Sequence, residues 1–305
     1  MAFIFIFVDG VGLGQKEPGN PFYCHKLSFL EEILEGNAFT EEAAGKEYAR
    51  ASLLALKATL GVRGRPQSAT GQCSIFTGVN AAKIIKRHLR GFPNERLREI
   101  LAEKGIFRQL RARSLKCTFA NAYRPVFFRE LKEGNFKNFS CSTLITYYAG
   151  LKFRDLTDLC EGQAVYMDIT NKTLREQGFA VPLISPQEAG ARLIKLSRKY
   201  DFILYEHFLT DIAGHSKDPE KAKAVVTTLD AFLRSVAENM DERKDVFFLT
   251  SDHGNLEDMS TKVHTFNPVP ALVLGERRQK FVSLLAQKGD ITGILPAILE
   301  FLSAK

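Results

Sequence analysis

The chain has no run of 18 apolar residues, no C-x-x-C pair, no internal repeat and no low-complexity tract. The first absence leaves no candidate for a helix spanning a bilayer. The apolar start from Ala2 to Val8 is too short for a span, lacks a basic leader and runs directly into Asp9. It reads instead as a buried strand, and the protein is expected to be cytoplasmic, with no membrane partner. Five cysteines (Cys24, Cys73, Cys117, Cys141, Cys160) are odd in number and widely scattered. That pattern disfavours both a disulfide framework and a thiolate zinc site, so they are expected to be reduced. The basic residues carry no helix-turn-helix, zinc-finger or RNA-recognition signature, so nucleic acid is not the expected partner.

What the chain does have is length and apolar content: 305 residues, 45% hydrophobic, enough to bury a large core. Short continuous apolar runs recur at Ala2 to Val8, Phe202 to Tyr205, Val246 to Leu249 and Ala271 to Leu274. Strands buried on both faces read this way. Helix signals lie between them. Ser185-Pro186-Gln187-Glu188 supplies an N-cap, a proline at the first helical position and a glutamate three after the cap, for a helix running to about Lys199. Asp218-Pro219 opens another, with Val225, Leu229, Phe232 and Val236 on one face. The alternation predicts an α/β fold with a mostly parallel central sheet covered by helices on both faces. Residues 86–168 lack a clear period and are expected to form a small insertion or reduced cap, leaving 1–85 and 169–305 as a discontinuous core.

Three motifs in the last third carry the chemistry: Asp211-Ile212-Ala213-Gly214-His215, Asp252-His253-Gly254-Asn255, and His264-Thr265-Phe266-Asn267-Pro268-Val269-Pro270. Two Asp-His pairs and a third histidine suit divalent metals of intermediate hardness. Gly214 suggests a tight loop in which Asp211 and His215 both turn inward. Asp9 follows the first strand in Val8-Asp9-Gly10-Val11-Gly12-Leu13-Gly14, on the edge where the strand ends of a parallel sheet form a ligand crevice. A dinucleotide turn competes weakly, because the spacing is not G-x-G-x-x-G. The nucleophile candidate is Ser68 in Pro66-Gln67-Ser68-Ala69-Thr70-Gly71-Gln72, ahead of a helix expected from about Gln72 to Thr77. Local sequence leaves two roles open for it: a hydroxyl activated by metal at a helix start, or a plain N-cap.

Taken together, Asp9-Gly10, the Ser68 loop, Asp211 to His215, Asp252-His253-Gly254 and His264-Thr265-x-Asn267-Pro268-x-Pro270 resemble the alkaline phosphatase superfamily, nearest its branch of cofactor-independent phosphoglycerate mutases and phosphopentomutases. The resemblance implies two divalent metal ions, manganese or zinc. Asp211, His215 and His264 would hold one; Asp9, Ser68, Asp252 and His253 the other. It also implies a phosphoserine intermediate on Ser68 and a small phosphorylated substrate, with a phosphomonoesterase or phosphomutase as outcome. Phosphodiester or sulfate ester hydrolysis and metal binding without turnover are the alternatives. The Gly-His that follows the nucleophile in both mutases is Gly71-Gln72 here. The formal charge of +7 and the basic run through Lys83, Lys86, Arg87, Arg90, Arg96, Arg98, Arg108, Arg111 and Arg113 fit either a solvated helical face or a rim drawing in a phosphorylated molecule. Of these middle residues, Arg87, His88 and Arg90 are the ones expected to reach a substrate phosphate or carboxylate.

Overall fold

A computed structural model describes residues 1–303. Its centre is the strand with the strongest apolar signal. β1 (Phe3–Val8) is fully buried, and its alternation divides the interior in two. Phe3, Phe5 and Phe7 point to one face, while Ile4, Ile6 and Val8 point to the other. With β2 (Ala51–Leu56), β3 (Cys117–Phe119), β4 (Phe202–His207), β5 (Val246–Thr250) and β6 (Val269–Leu274) it forms a six-stranded sheet in the order β2-β6-β5-β1-β4-β3. The ladders β3/β4, β4/β1 and β1/β5 are parallel; β5/β6 and β6/β2 are antiparallel. The sheet is thus mostly parallel, as expected, and five of its strands run the same way.

Each face has its own helical cover. On the phenylalanine side, Phe3 packs edge-on to Phe281 at 5.0 Å and Phe5 lies 5.0 Å from Phe248. The helices Ser68–Thr77, Glu95–Lys104, Arg278–Ala286 and Ile294–Ser303 close over that side. On the other side lie Pro186–Ser197 and Pro219–Asn239, which bury Leu193, Val226, Leu229, Phe232 and Val236. Both start as their sequences predict. Ser185 Oγ accepts from Glu188 N at 3.1 Å, and Asp218 Oδ1 accepts from Glu220 N at 3.0 Å.

One strand has no counterpart in the sequence reading, and two elements differ from expectation. Ala51 to Leu56, rich in Ala and Leu, is a strand at the sheet edge, where pairing with β6 overrides helix propensity. The helix after the Ser68 loop begins at Ser68 itself, four residues earlier than the expected start at Gln72. The Asp211 to His215 segment is helix, within Leu209–Ser216, and not a tight loop. Gly214 is there for packing: a Cβ would meet the Asn255 side chain at 2.7–2.9 Å.

Residues 86–168 divide between two places. β3 extends the main sheet beside β4, and the helices Glu95–Lys104, Ile106–Arg111 and Cys141–Tyr148 pack into the phenylalanine-side core. The rest reaches over the strand ends, with a small apolar cluster of Ala122, Leu159, Ala164, Tyr166, Leu174 and Val181. The five cysteines are free. Among the described residues, no helix is long and apolar enough to cross a membrane.

Candidate metal centre

Because β1, β4 and β5 are adjacent and parallel, their carboxyl ends open on one edge, and the residues following them meet there. Asp9 follows β1. Gly10, at φ 71°, turns the chain where any Cβ would strike Asp211 Oδ1 at 2.6 Å. Asp252 and His253 follow β5 and are fully buried. Asp211 and His215 follow β4 one helical turn apart, so the helix places both on one face. His264 arrives from the loop before β6.

The side chains converge in two groups. In one, His253 Nε2 lies 3.0 Å from Ser68 Oγ, 3.2 Å from Asp9 Oδ1 and 3.6 Å from Asp252 Oδ2. In the other, His264 Nε2 lies 3.2 Å from His215 Nε2 and 3.7 Å from Asp211 Oδ1, and His215 Nε2 is 3.4 Å from Asp211 Oδ2. The two groups touch through the rings of His253 and His264, stacked 3.7 Å apart at 12°. Ligand atoms of Asp9, Asp252 and His253, and those of Asp211, His253 and His264, fall within 4.8 Å of one another. All seven residues singled out in the sequence therefore lie at one place.

The donor set fits divalent cations. His264 Nδ1 is 2.9 Å from Pro66 O and His215 Nδ1 is 3.1 Å from Lys262 O. A carbonyl can only accept, so each Nδ1 carries the proton and each Nε2 aims a lone pair inward, an arrangement that suits metal-ligating histidines. Two lone pairs facing each other have nothing to share without an electrophile between them. Asp9 Oδ1 is buried and makes no well-formed hydrogen bond, its one close polar neighbour being His253 Nε2 at 3.2 Å. Burial and the Asp9 charge raise Asp252 well above the usual carboxylate range. Burial opposes a charged His253, but Asp252 and Asp9 overcome it and hold that imidazole at about 10. The cluster thus recruits positive charge, which divalent cations would supply.

Several contributors carried no clear sequence signal. Glu257, 2% exposed, accepts from Gly12 N at 2.8 Å, Asn255 N at 2.8 Å, Asn267 Nδ2 at 3.0 Å and the Thr265 hydroxyl. It ties the loops after β1 and β5 to the one before β6, which explains why Thr265 and Asn267 follow His264. An acidic residue two positions after Asn255, in a turn rich in small polar residues, was the only clue to it. Asn255 Nδ2 donates to Asp211 Oδ1 at 2.6 Å. Gln72 Nε2 donates to Asp9 Oδ2 at 3.2 Å and Asp252 Oδ2 at 3.3 Å, bridging the carboxylates from the helix that starts at Ser68.

Ser68 stands between two cavities. One, of about 670 Å³, is lined by Arg63, Arg65, Arg87, His88, Arg90 and Lys262, together with His215 and His264. The other, about 540 Å³, extends under the residue 121–143 segment. Arg87, His88 and Arg90 line the first of these cavities, while Arg96, Arg98 and Arg108 are engaged elsewhere, with Glu99, Phe136 O and Ala102 O. His88 is half-buried, and Nε2 approaches Val62 O at 3.3 Å.

The chain belongs to the Metalloenzyme superfamily, whose model matches residues 1–305. It is 31% identical over 134 residues to a 2,3-bisphosphoglycerate-independent phosphoglycerate mutase of Ehrlichia ruminantium, covering 41% of this chain and 26% of that protein. A protein of the same name from Moorella thermoacetica is 32% identical over 127 residues, covering 40% and 24%. The chain thus aligns with only about a quarter of the length of these relatives. Among solved structures, the PH0037 protein from Pyrococcus horikoshii shares the fold, with a TM-score of 0.59 at 16% identity over 100% of this chain and 97% of that one. The resemblance drawn from the motifs is borne out, and divalent metal is implied by the family together with the donor set.

Proposed function

We propose that this protein is a cytoplasmic two-metal phosphoryl-transfer enzyme, a phosphomonoesterase or phosphomutase, that acts on a small phosphorylated metabolite through a phosphoserine at Ser68. The observation that carries this reading is the position of Ser68 Oγ, 3.0 Å from His253 Nε2, at the start of a helix and beside the Asp-His cluster. The N-cap is Gln67, so the serine hydroxyl is not consumed in capping. Asp9, Ser68, Asp252 and His253 would hold one cation and Asp211, His215 and His264 the other; mixed oxygen and imidazole donors suit manganese or zinc. When bound, such cations lower the pKa of the serine hydroxyl and offset charge on the phosphoryl oxygens.

The protein's own part is positioning. Ser68 Oγ loses its proton and forms a bond to phosphorus as the P–O ester bond breaks, and the leaving alcohol takes up a proton. The phosphoserine then passes its phosphoryl group to water, giving inorganic phosphate, or to a substrate hydroxyl. The helix N-terminus presents backbone N–H donors to the phosphoryl oxygens. Arg87, His88 and Arg90, with Arg63, Arg65 and Lys262, would bring anionic substrate to that end of the site. Turnover of an aryl phosphate with manganese or zinc, abolished by chelator and accompanied by phosphoserine detectable by mass, is the expected result. Protein that binds no divalent metal would overturn the proposal.

Gln72 favours one other reading. An amide holding both Asp9 and Asp252 competes with a cation for their lone pairs, as in a protein that keeps the fold and metal without turnover. That reading requires tight metal binding with no labelled serine after exposure to phosphate esters. Phosphodiester and sulfate esters in the same assay separate the remaining hydrolase alternatives.

A further inference from the structure

The two cavities that meet at Ser68 differ in chemistry. The cavity containing Arg87 and Arg90 presents Arg63, Arg65, Arg87, Arg90 and Lys262, none of which forms a salt bridge among the described residues. The other is walled by Phe92, Tyr123, Phe127, Phe139, Tyr166 and Phe208, and it reaches Ser68, Asp9 and Asp211. Tyr123 and Phe127 stack at 4.0 Å, and Phe127 is 5.1 Å from Phe139, so the rings of this wall pack against one another.

The polar side chains of the inner wall of this aromatic cavity are paired within the protein, while Glu130, Asn138 and the Tyr166 hydroxyl, which also line it, have no side-chain hydrogen bond among the described residues. Tyr123 Oη is 2.8 Å from Thr143 Oγ1, which is 2.9 Å from Ser140 Oγ; that hydroxyl is 2.8 Å from Ser142 Oγ, which donates to Glu206 Oε2 at 2.5 Å. Asn121 spends both ends of its amide on the Glu206 backbone, donating to O at 2.7 Å and accepting from N at 2.9 Å. At the rim, Arg124 donates to Gln177 Oε1 at 2.8 Å. Along that inner wall a substrate hydroxyl would find few open partners, and each unpaired group there would count against binding. The mouth is also apolar: Phe92, Val126 and Ile212 are 47%, 38% and 53% exposed and all border this cavity.

Resting on the phosphoryl-transfer reading above, we infer that the substrate is a phosphate monoester of an apolar, ring-bearing alcohol, with its phosphoryl group toward the cationic cavity and its ring in the aromatic one. The contrast between a cavity of unpaired cations and one walled by aromatic rings is what selects it. A cavity of about 540 Å³ admits a one- or two-ring body, and stacking against Phe92 and Phe127 would hold it.

Two measurements test this separately. In the first, 2-naphthyl phosphate and glycerol 3-phosphate are compared in the metal-loaded enzyme. We expect kcat/KM to favour the naphthyl ester, and Phe92→Ala to reduce that preference about tenfold, as for removing roughly half of one ring's contact with the ligand. Phe92 is exposed, so its truncation leaves the core intact. In the second, binding of 2-naphthol is followed by its own fluorescence and needs no turnover. We expect saturable binding that weakens about tenfold in Phe92→Ala and is not competed by inorganic phosphate. Equal kcat/KM for the two esters, or no saturable naphthol binding, overturns the inference and leaves the metal chemistry standing. Loss of all ester turnover with naphthol binding retained supports the cavity assignment and overturns the phosphoryl-transfer reading instead.

Discussion

Replacing Ser68 by alanine separates chemistry from stability more cleanly than any other single change. The side chain is half-buried, and its recorded polar contact is with His253 Nε2 at 3.0 Å. Gln67 holds the N-cap, so no cap is lost, and the stability change should stay near the ~1 kcal/mol of one hydrogen bond. Loss of a covalent nucleophile, by contrast, should reduce turnover by roughly four to six orders of magnitude, about 5–8 kcal/mol in barrier. Thr70→Val is the necessary companion. Thr70 is fully buried, donates to Gln67 O at 3.1 Å and accepts from Leu89 N at 3.3 Å, so its hydroxyl is committed to the backbone. That variant should lose about 1–3 kcal/mol of stability and keep its chemistry. The assay is turnover of an aryl phosphate with saturating manganese, alongside denaturant unfolding and the mass of the trapped phosphoenzyme. Near-normal turnover in Ser68→Ala, with loss in Thr70→Val, would refute the reasoning and move the nucleophile to Thr70.

Three further outcomes follow from the geometry. His215→Ala or His264→Ala should each remove one equivalent of metal, counted by elemental analysis; loss of both or neither would show that the two ligand groups are wrongly divided. Glu257→Ala strands four donors in a buried site and should lower stability by roughly 3–5 kcal/mol, read from the urea midpoint, although Glu257 touches no proposed substrate. The third concerns pH in metal-free protein. Burial lowers His207 to about 4, so its unfolded form binds more protons between about 4 and 6.5, and stability falls as pH falls through that window. Burial raises Glu206 to about 7, so its folded form binds more protons between about 4.5 and 7, and stability falls as pH rises through that window. Each effect approaches about 3 kcal/mol, and they oppose each other. Glu206→Gln should therefore expose a stability that climbs with pH, and His207→Gln one that declines; parallel curves would contradict both assignments.

The sheet was legible where burial on both faces made the sequence continuously apolar, as in β1, β4, β5 and β6. β2 was not, because Ala51 to Leu56 lies at an edge, and only its antiparallel partner Val269–Leu274 makes it a strand. The seven chemical residues were legible from their motifs, yet the conformation around Ser68, Asp211 and His215 was not. Gly214 reads as a turn signal, but its small size serves contact with Asn255, 41 positions away, which local sequence cannot express. The same limit hid Glu257 and the aromatic cavity. Tyr123, Phe127 and Phe139 carry no motif, and they become a wall only when their segment reaches over the strand ends.

The place of β1 in the middle of the sheet also bears on synthesis. Its neighbours are residues 202–207 and 246–250, so Phe-Ile-Phe-Ile-Phe-Val finds its second partner only after about 240 more residues have been made. At ~5–20 residues per second that is on the order of 10–50 s in which a fully apolar, β-prone segment is without its native pairing, a hazard for aggregation on the ribosome. Asp9 shares that delay, since Asp252 and His253 are made with the last of those neighbours. A cation can therefore stabilise the completed site, but it cannot organise the nascent chain.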